Sequence, residues 1–509
     1  MNFIDSLYSI CEKGIRENMY LSAKMKINAP SKIVSVFRSM TLKTILIIVS
    51  FVETIFLASS NTPREGLEQI WILPLLFGSC VIIFQKIINY HKGGIGLKIY
   101  YIIAIIRYLI QPYLIQITNG DISPTRMSNL APSSYRIALF IQCFELVIAC
   151  LTIRFSYPKI ILRETKKNKI LNLHSEKLRM GGIIVLGFFI IDLALRFNIW
   201  FPALKILLLK KNVSYTAVLS EATFFNCIKA FLFAVTVLKA TKYKPNTRGF
   251  YLFFILSIFL GIFNFISYFG SNRSFILETA ITTISLLYYQ FPKYRNHIMV
   301  ITIPIAISLI FIMFVTKQFG VDSASEFSAD TLSAKYISNQ IEEYTNGLWC
   351  IGQTYQASIG MTIQHSIQAF CKEITDSLTI ISGIRGFHWI PQLTLGTLSS
   401  AEIMKYSFET FDRGQMLSFS GDFLITFNFL GWIVFPIANY LVIRLLVIFE
   451  VKSKLTEHVF YKYLYIWMAC LFALTHCYSI QTLLYCCVNF ALFYWIILKA
   501  NRRRIRVKW

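Results

Sequence analysis

The chain has 509 residues, of which 55% are hydrophobic and only 15% are charged, and its mean hydropathy is +0.57. About a quarter of the residues in a soluble globular protein are charged, so this composition excludes a protein with a large water-exposed surface. The 50 Lys and Arg against 26 Asp and Glu give a net charge of +24. That excess suits either nucleic-acid binding or the cytoplasmic loops of a membrane protein.

Residues 1–43 are basic and contain no apolar stretch, which predicts a cytoplasmic tail and no cleavable signal peptide. After this tail come twelve apolar runs, most of them long enough to cross a bilayer. The fold class expected is therefore an all-α polytopic membrane protein, with nine spans in 44–315 and three in 423–498. The predicted spans are 44–59, 70–88, 99–118, 135–153, 181–202, 217–238, 249–268, 274–291, 298–315, 423–448, 461–478 and 480–498.

The distribution of basic residues predicts the orientation. With the N-terminus in the cytoplasm, about two thirds of the 50 Lys and Arg residues fall in predicted cytoplasmic segments, as the positive-inside rule expects. An even number of spans then places the basic tail 499–509 in the cytoplasm too. This explains the net charge without nucleic acid as a partner. The outer loop 203–216 departs from the rule, because Lys210 and Lys211 predict either an interfacial segment or an anion site there.

The largest segment between spans is the predicted extracytoplasmic loop 316–422. It contains an apolar stripe at helical spacing, which predicts an amphipathic helix near 359–381 lying on the outer membrane surface or capping the bundle. The stripe comprises Ile359, Ile363, Ile367, Phe370, Ile374, Leu378 and Ile381. Cys350 and Cys371 also lie in this loop, either as a disulfide or as two free thiols.

Charged residues also occur inside the predicted spans, where each is costly and needs a partner or a wet cavity. Arg107 is expected to point into the bundle or towards the headgroups. Glu145, Glu278 and Arg444 lie on other spans, so no continuous proton path can be drawn from their positions.

Three segments at the predicted outer face carry candidate functional groups. Arg273 follows a Gly-Ser-Asn turn before the eighth span, where it suits either a phosphate or a simple interfacial helix start. Arg385 and His388 lie in a stretch rich in glycine and aromatics, which suits diphosphate binding, proton transfer or an interfacial belt. Arg413 and Asp422 precede the tenth span, where Asp422 suits a base, a hydroxyl ligand or a helix N-terminal charge.

The sequence contains no P-loop, no HExxH or GxSxG motif and no Asp-x-Asp pair in the outer loop. It also has no Cys-x-x-Cys pattern of the kind that binds zinc. Any chemistry at the outer face is therefore expected to use neither a metal nor an organic cofactor.

Taken together, these features resemble the bacterial oligosaccharide repeat-unit polymerases, the Wzy-type polymerases of O-antigen and capsule. Those proteins have many spans and a long outer loop late in the chain. The local motifs are the Gly270–Arg273 turn, the stretch Ser418–Asp422 followed by Asn428-Phe429, and the spacing of Arg385 and Gly396. The family often has Glu where this chain has Asp422, and Leu430 here interrupts its Asn-Phe-Gly pattern.

The resemblance implies a GT-C-like helical bundle that transfers a growing glycan from one polyprenyl diphosphate to a hydroxyl of the next lipid-linked repeat unit. It implies donor and acceptor lipid-linked oligosaccharides as partners, with membrane lipids, and leaves room for a chain-length regulator and a flippase. Arg273 and Arg385 are the candidates for stabilising the diphosphate, and His388 or Asp422 for accepting the proton. Arg413, Lys210 and Lys211 are further candidate diphosphate ligands.

Three other functions fit the same pattern. An O-antigen ligase uses nearly the same chemistry and is hard to distinguish by sequence. A flippase or other transporter suits twelve spans, although transporters usually keep their loops short and their polar groups near the midplane. An acyltransferase needs a histidine presented to an acyl donor, whereas four histidines here lie in predicted basic cytoplasmic loops. By the resemblance, we expect the bacterial cytoplasmic membrane as the location.

Overall fold

The computed structural model describes residues 30–90, 94–120, 130–171, 178–179, 182–184, 186–187, 219–266, 273–319, 333–378, 392–394, 396–399, 402–403 and 417–502. The chain falls into two compact units, Met1–Val49 and Ser50–Trp509, and every contact discussed below lies within the second. All regular structure in these described ranges is helical, and no strand occurs among them. The all-α class predicted from the sequence is confirmed to that extent.

The helices follow the apolar runs closely. In chain order they are α1 (Pro30–Ser59), α2 (Ile72–Tyr90), α3 (Ile95–Ile105), α4 (Gln111–Ile117), α5 (Pro132–Leu171), α6 (Leu219–Lys242), α7 (Arg248–Ile266), α8 (Arg273–Gln290), α9 (Arg295–Phe319), α10 (Ala334–Thr345), α11 (Leu348–Ser358), α12 (Ile363–Ser377), α13 (Phe419–Phe427), α14 (Gly431–Leu455), α15 (Val459–Ala473), α16 (Ile480–Cys486) and α17 (Phe493–Arg502). Shorter π-helical stretches cover Ile106–Ile110 and Cys487–Leu492.

Five described segments are long and apolar enough to cross a membrane, which identifies an α-helical membrane protein. They are Ile95–Ile117, Pro132–Lys166, Arg248–Phe265, Phe419–Leu455 and Ile480–Asn501. Each coincides with a predicted span. The two shorter apolar helices Ile72–Ile82 and Val459–Ala473 also fall in predicted spans. The total of twelve spans stays a prediction.

The described core lies where α14 and α15 pack against α3 and α5. Leu446 and Ile466 are completely buried there. Gly96 allows α3 and α15 to approach closely, because a Cβ at this position would lie 2.8 Å from the carbonyl oxygen of Ala469. The backbone N–H of Gly96 also donates to the Glu450 carboxylate at 3.0 Å, and this contact ties α3 to α14.

The predicted span 423–448 is wrong in one respect, because two helices occupy it and the first begins earlier, at Phe419. Asn428 has a positive φ of 48°, and a 3-10 turn covers Asn428–Leu430 between α13 and α14. The Asn428 side chain donates to the carbonyl of Met361 at 2.6 Å. A Cβ on Gly431 would lie 2.6 Å from the Phe423 carbonyl oxygen. The break therefore depends on tertiary contacts that hydropathy does not reveal.

The amphipathic helix expected near 359–381 also differs in the structure. A turn at 359–362 separates α11 from α12, and the Thr362 side chain caps α12 by accepting from the backbone N–H of His365 at 3.3 Å. The apolar stripe faces outward, with Ile363 and Ile367 55% and 57% exposed. Small and polar residues face the protein instead, namely Ser366, Ala369, Glu373 and Ser377. The N-terminal part of the stripe is thus exposed, whereas Phe370 is half-buried and packs against the Phe427 ring, with centroids 5.0 Å apart.

The two short helices α10 and α11 are joined by a turn of two residues, and we call this pair the hairpin below. Its turn is made by Asn346, whose left-handed φ of 47° suits asparagine, and by Gly347. The backbone N–H of Gly347 donates to the carbonyl of Glu342 at 3.2 Å. Ser333 and Lys335 at the start of the hairpin are exposed, whereas all residues of its tip, 345–349, are buried.

Candidate functional site

The candidate span Ile95–Ile117 is not a regular α-helix where it carries Arg107. Pro112 has no N–H to donate to the carbonyl four residues earlier. Beside it, Gln111 donates its backbone N–H to the carbonyl of Ile106, five residues back, in a π-helical turn. Such turns occur often at functional sites. This turn places Arg107 inside the protein with only 1% of its side chain exposed.

Arg107 forms a buried ion pair with Glu145 of α5. Its Nη1 lies 3.0 Å from Glu145 Oε2, and both side chains are 1% exposed. The other terminal nitrogen, Nη2, donates to the backbone carbonyl of Asn346 at the tip of the hairpin, at 3.1 Å. A charge at this depth requires such partners, and the fork of one guanidinium supplies both contacts.

Other polar groups extend this pair into a cluster, which we call the polar centre: Arg107, Glu145, Ser420, Asn439 and His476. The Ser420 hydroxyl donates to Glu145 Oε1 and accepts from the Asn439 amide at 3.0 Å. The His476 Nδ1 lies 3.6 Å from Glu145 Oε2. All five side chains are buried, so helices far apart in sequence meet at Glu145.

The His476 ring extends the polar centre towards α3. Its Nε2 lies 3.4 Å from the Tyr100 hydroxyl, and the ring centroids are 5.7 Å apart. A carboxylate, an imidazole and a phenol therefore follow one another across the interior. Such a series can hold or pass a proton.

Asp422 lies on α13, two residues after Ser420, and is completely buried. Ser418 caps this helix by accepting from the backbone N–H of Gly421 at 3.1 Å. Asp422 Oδ2 accepts from the backbone N–H of Ile480 at 2.8 Å, at the start of α16. The carboxylate therefore joins α13 to α16, and the same short helix presents Ser420 to the polar centre.

Glu342 organises the tip of the hairpin. Its Oε1 accepts from the backbone N–H groups of Trp349 at 2.5 Å and Cys350 at 3.1 Å, and thus caps the N-terminus of α11. The Gln111 amide donates to its other oxygen.

An open cleft of about 410 Å³ lies between α12 and the segment 396–403. His365, Gln368 and Thr397 give it polar groups, and Met361, Leu398 and Ile403 give it apolar surface. Ile403 also packs in an apolar cluster with Leu417 and Ile425, which flank Asp422 along the chain. The mixture of polar and apolar walls is typical of small-molecule sites.

Of the residues predicted to form a site, the structure describes the surroundings of Asp422 alone. Arg273 is the first residue of α8, and its side chain lies outside the described part. His388, Arg385, Arg413, Lys210 and Lys211 fall outside the described residues.

The polar centre was only partly anticipated. Arg107 and Glu145 were recognised as charges inside spans, but no pairing was predicted between them. Opposite charges near the middle of two consecutive spans are the signal that would have suggested it. Ser420, Asn439 and His476 were missed, because neutral polar residues inside apolar runs give little signal.

The structure also bears on the two cysteines of the loop and on metal binding. Cys350 and Cys371 are free thiols, the first half-buried and the second exposed. Among the described residues, no group of three or more His, Cys, Asp or Glu side chains is arranged to hold a metal ion.

Comparison of the chain with protein-family models, with curated proteins and with solved structures gave no match.

Proposed function

We propose that the protein is a membrane glycosyltransferase that polymerises polyprenyl-diphosphate-linked oligosaccharide repeat units into O-antigen or capsular polysaccharide. The observation that carries the proposal is the position of Asp422. This carboxylate lies on a short helix whose Ser420 is bonded to the Arg107–Glu145 pair. The flanking Leu417 and Ile425 pack with Ile403, which lines an open cleft. A candidate base, a buried ion pair and a cleft lined by both polar and apolar groups thus lie on neighbouring elements.

In the proposed reaction, a hydroxyl oxygen of the acceptor forms a bond to the anomeric carbon of the donor. The bond from that carbon to the diphosphate oxygen breaks, and its electron pair leaves with the lipid diphosphate. Asp422 accepts the hydroxyl proton, with His388 as the alternative base. Arg273 and Arg385 stabilise the leaving diphosphate, with Arg413, Lys210 and Lys211 as further ligands.

The burial of Asp422 gives the proposal a structural requirement. A base must come within hydrogen-bonding distance of the proton that it accepts. Asp422 is completely buried, so α12 or the hairpin must move when the acceptor enters. Movements of this kind exclude water from many active sites and often limit the rate of turnover.

The membrane arrangement is part of the proposal. We place the protein in the bacterial cytoplasmic membrane with twelve spans, both termini in the cytoplasm and segment 316–422 at the outer face. Reporter fusions at the C-terminus and within 320–332 test this directly. Cytoplasmic activity of the first fusion and outer activity of the second are expected, and the reverse pattern contradicts the orientation.

Deletion of the gene in its host tests the proposed activity. The deletion strain is expected to retain single repeat units and to lose the ladder of longer glycans on a gel. Wild-type protein restores the ladder. Full-length polymer that stays on its lipid carrier indicates a ligase instead. An unchanged ladder refutes any role in this glycan.

Transport of a lipid-linked oligosaccharide is the second candidate, and a specific observation favours it. Three candidate spans are interrupted: Ile95–Ile117 at Arg107, Phe419–Leu455 at Asn428 and Ile480–Asn501 at Cys487–Leu492. Interrupted helices with buried polar groups near the midplane are a feature of transporters. A flippase predicts that the deletion strain accumulates repeat units on the cytoplasmic side of the membrane.

A further inference from the structure

The hairpin has the length of an element that enters a membrane without crossing it. Its helices have 12 and 11 residues, or about 17 Å each at 1.5 Å per residue. The hydrocarbon core of a bilayer is about 30 Å thick. A hairpin whose base lies at the surface therefore reaches the middle of the core, and its chain must return to the same side.

The contacts of α11 place its two ends at different depths along α5. At the base, the Gln356 side chain accepts from the backbone N–H of Ala131 at 3.2 Å and from the Ser134 hydroxyl at 3.3 Å, where α5 begins. At the tip, the Asn346 carbonyl accepts from Arg107. Arg107 also pairs with Glu145, which lies three turns further along α5. Arg107 itself lies close to the middle of the 23-residue candidate span Ile95–Ile117.

The tip is fixed by contacts to several elements. Arg107 donates to the carbonyl of Asn346. The Asn346 side-chain amide donates to the carbonyl of Leu417 at 3.1 Å and to that of His476 at 3.3 Å. Leu417 immediately precedes the cap of α13, which carries Asp422. The tip is therefore bonded to the residue that precedes the cap of the Asp422 helix, and to that helix itself through Arg107, Glu145 and Ser420.

We propose that α10 and α11 form a re-entrant hairpin and that Arg107 is a positioning residue for the proposed site. One terminal nitrogen of Arg107 holds the tip of the hairpin. The other holds Glu145, which in turn holds Ser420 and the helix of Asp422. The link to catalysis rests on the proposed function, whereas the fixing of the tip does not.

Native cysteines allow the fixing to be measured without any enzymatic assay. Cys350 directly follows the tip and is half-buried, with its Sγ 3.6 Å from the carbonyl oxygen of Glu342. Cys371 is exposed on α12 and serves as an internal reference. The rates at which N-ethylmaleimide modifies the two thiols in native membranes are read by mass spectrometry of their peptides.

Arg107→Lys is the decisive variant, because it keeps the charge but loses the planar fork that makes both contacts. We expect Cys350 to be modified about tenfold faster, or more, as one charge-assisted hydrogen bond is lost. The rate at Cys371 stays unchanged. Arg444→Lys is the matched control, since Arg444 bonds to the Tyr440 hydroxyl on the surface of α14, and it leaves Cys350 unchanged. An unaltered Cys350 rate in Arg107→Lys overturns the proposal.

A second variant is needed if Arg107→Lys fails to fold. Misfolding is recognised when N-ethylmaleimide modifies Cys227, which is completely buried in the folded protein. Asn346→Gly keeps the left-handed backbone and the carbonyl that Arg107 contacts. It removes only the amide that bonds to Leu417 and His476. Faster modification of Cys350 with Cys227 still protected supports the proposal, and protection of both thiols refutes it.

The catalytic part is tested with the same variant and lipid-linked oligosaccharide extracted from the deletion strain. If Arg107 positions Asp422 without contacting substrate, Arg107→Lys lowers kcat about tenfold or more while KM stays near the wild-type value. A rise in KM with unchanged kcat refutes positioning. Inactivity of the wild-type protein refutes the proposed function alone, because the thiol measurement does not depend on it.

Discussion

The Arg107–Glu145 pair gives a prediction whose size follows from its geometry. The two charges are 3.0 Å apart and 1% exposed, so Coulomb's law with an effective dielectric constant of about 20 gives an attraction of about 5.5 kcal/mol. Glu145→Gln keeps the shape of the side chain but leaves Arg107 with no opposing charge. We expect it to lower the free energy of unfolding by about 3–5 kcal/mol.

The assay is unfolding in mixed micelles with increasing SDS, followed by circular dichroism. The double variant Arg107→Gln, Glu145→Gln is expected to recover more than half of the loss, because no buried charge then lacks a partner. The control is the pair Arg136 and Glu68, which has the similar separation of 3.1 Å but is 61% and 39% exposed. Solvent screens this pair, so Glu68→Gln should have little effect. Equal losses in Glu145→Gln and Glu68→Gln refute the reasoning.

Three further predictions concern the site and the hairpin. Asp422→Asn lowers polymerisation by about 10²–10⁴-fold, measured as glycan formed per folded protein, because the amide still accepts from Ile480 but takes no proton. Glu342→Ala lowers the melting temperature, because the backbone N–H groups of Trp349 and Cys350 lose the carboxylate that accepts from them. Gly347→Ala lowers the melting temperature, since the new Cβ would overlap the Gln111 amide and the Glu342 carboxylate.

Each of the three has a comparison on the same chain. Asp376→Asn changes a half-buried carboxylate on α12 that pairs with Lys372, and polymerisation should persist. Glu343→Ala changes the half-buried neighbour of Glu342 and should lower the melting temperature much less. Gly360→Ala places a Cβ where no atom lies within 4 Å and should leave the melting temperature unchanged. Equal effects in a variant and its comparison contradict the corresponding prediction.

The sequence predicts the helices of this protein well where one physical effect dominates. Long apolar runs such as 249–268 and 135–153 have few alternatives in a bilayer, and the structure has α7 and α5 there. The break at Asn428 was missed, because it depends on the contacts of Asn428 and Gly431 with distant residues. Periodicity identified part of α12, and the exposed Ile363 and Ile367 are compatible with the expected position on the membrane surface.

The candidate site was less predictable, for a physical reason. A charge inside a span indicates that a partner exists but does not say which one. Glu145 meets groups as distant in sequence as Ser420 and His476, and only the folded chain brings these together. Asp422 was found because its position at the start of a span is a local feature of the sequence.

The most direct test of the account uses purified protein in liposomes together with lipid-linked oligosaccharide extracted from the deletion strain. The wild-type protein is predicted to convert single repeat units into a ladder of longer glycans on the lipid carrier. Asp422→Asn, folded to the same extent, is predicted to leave them single. Movement of intact single units across the bilayer without any ladder, in both proteins alike, would contradict a polymerase and favour a transporter.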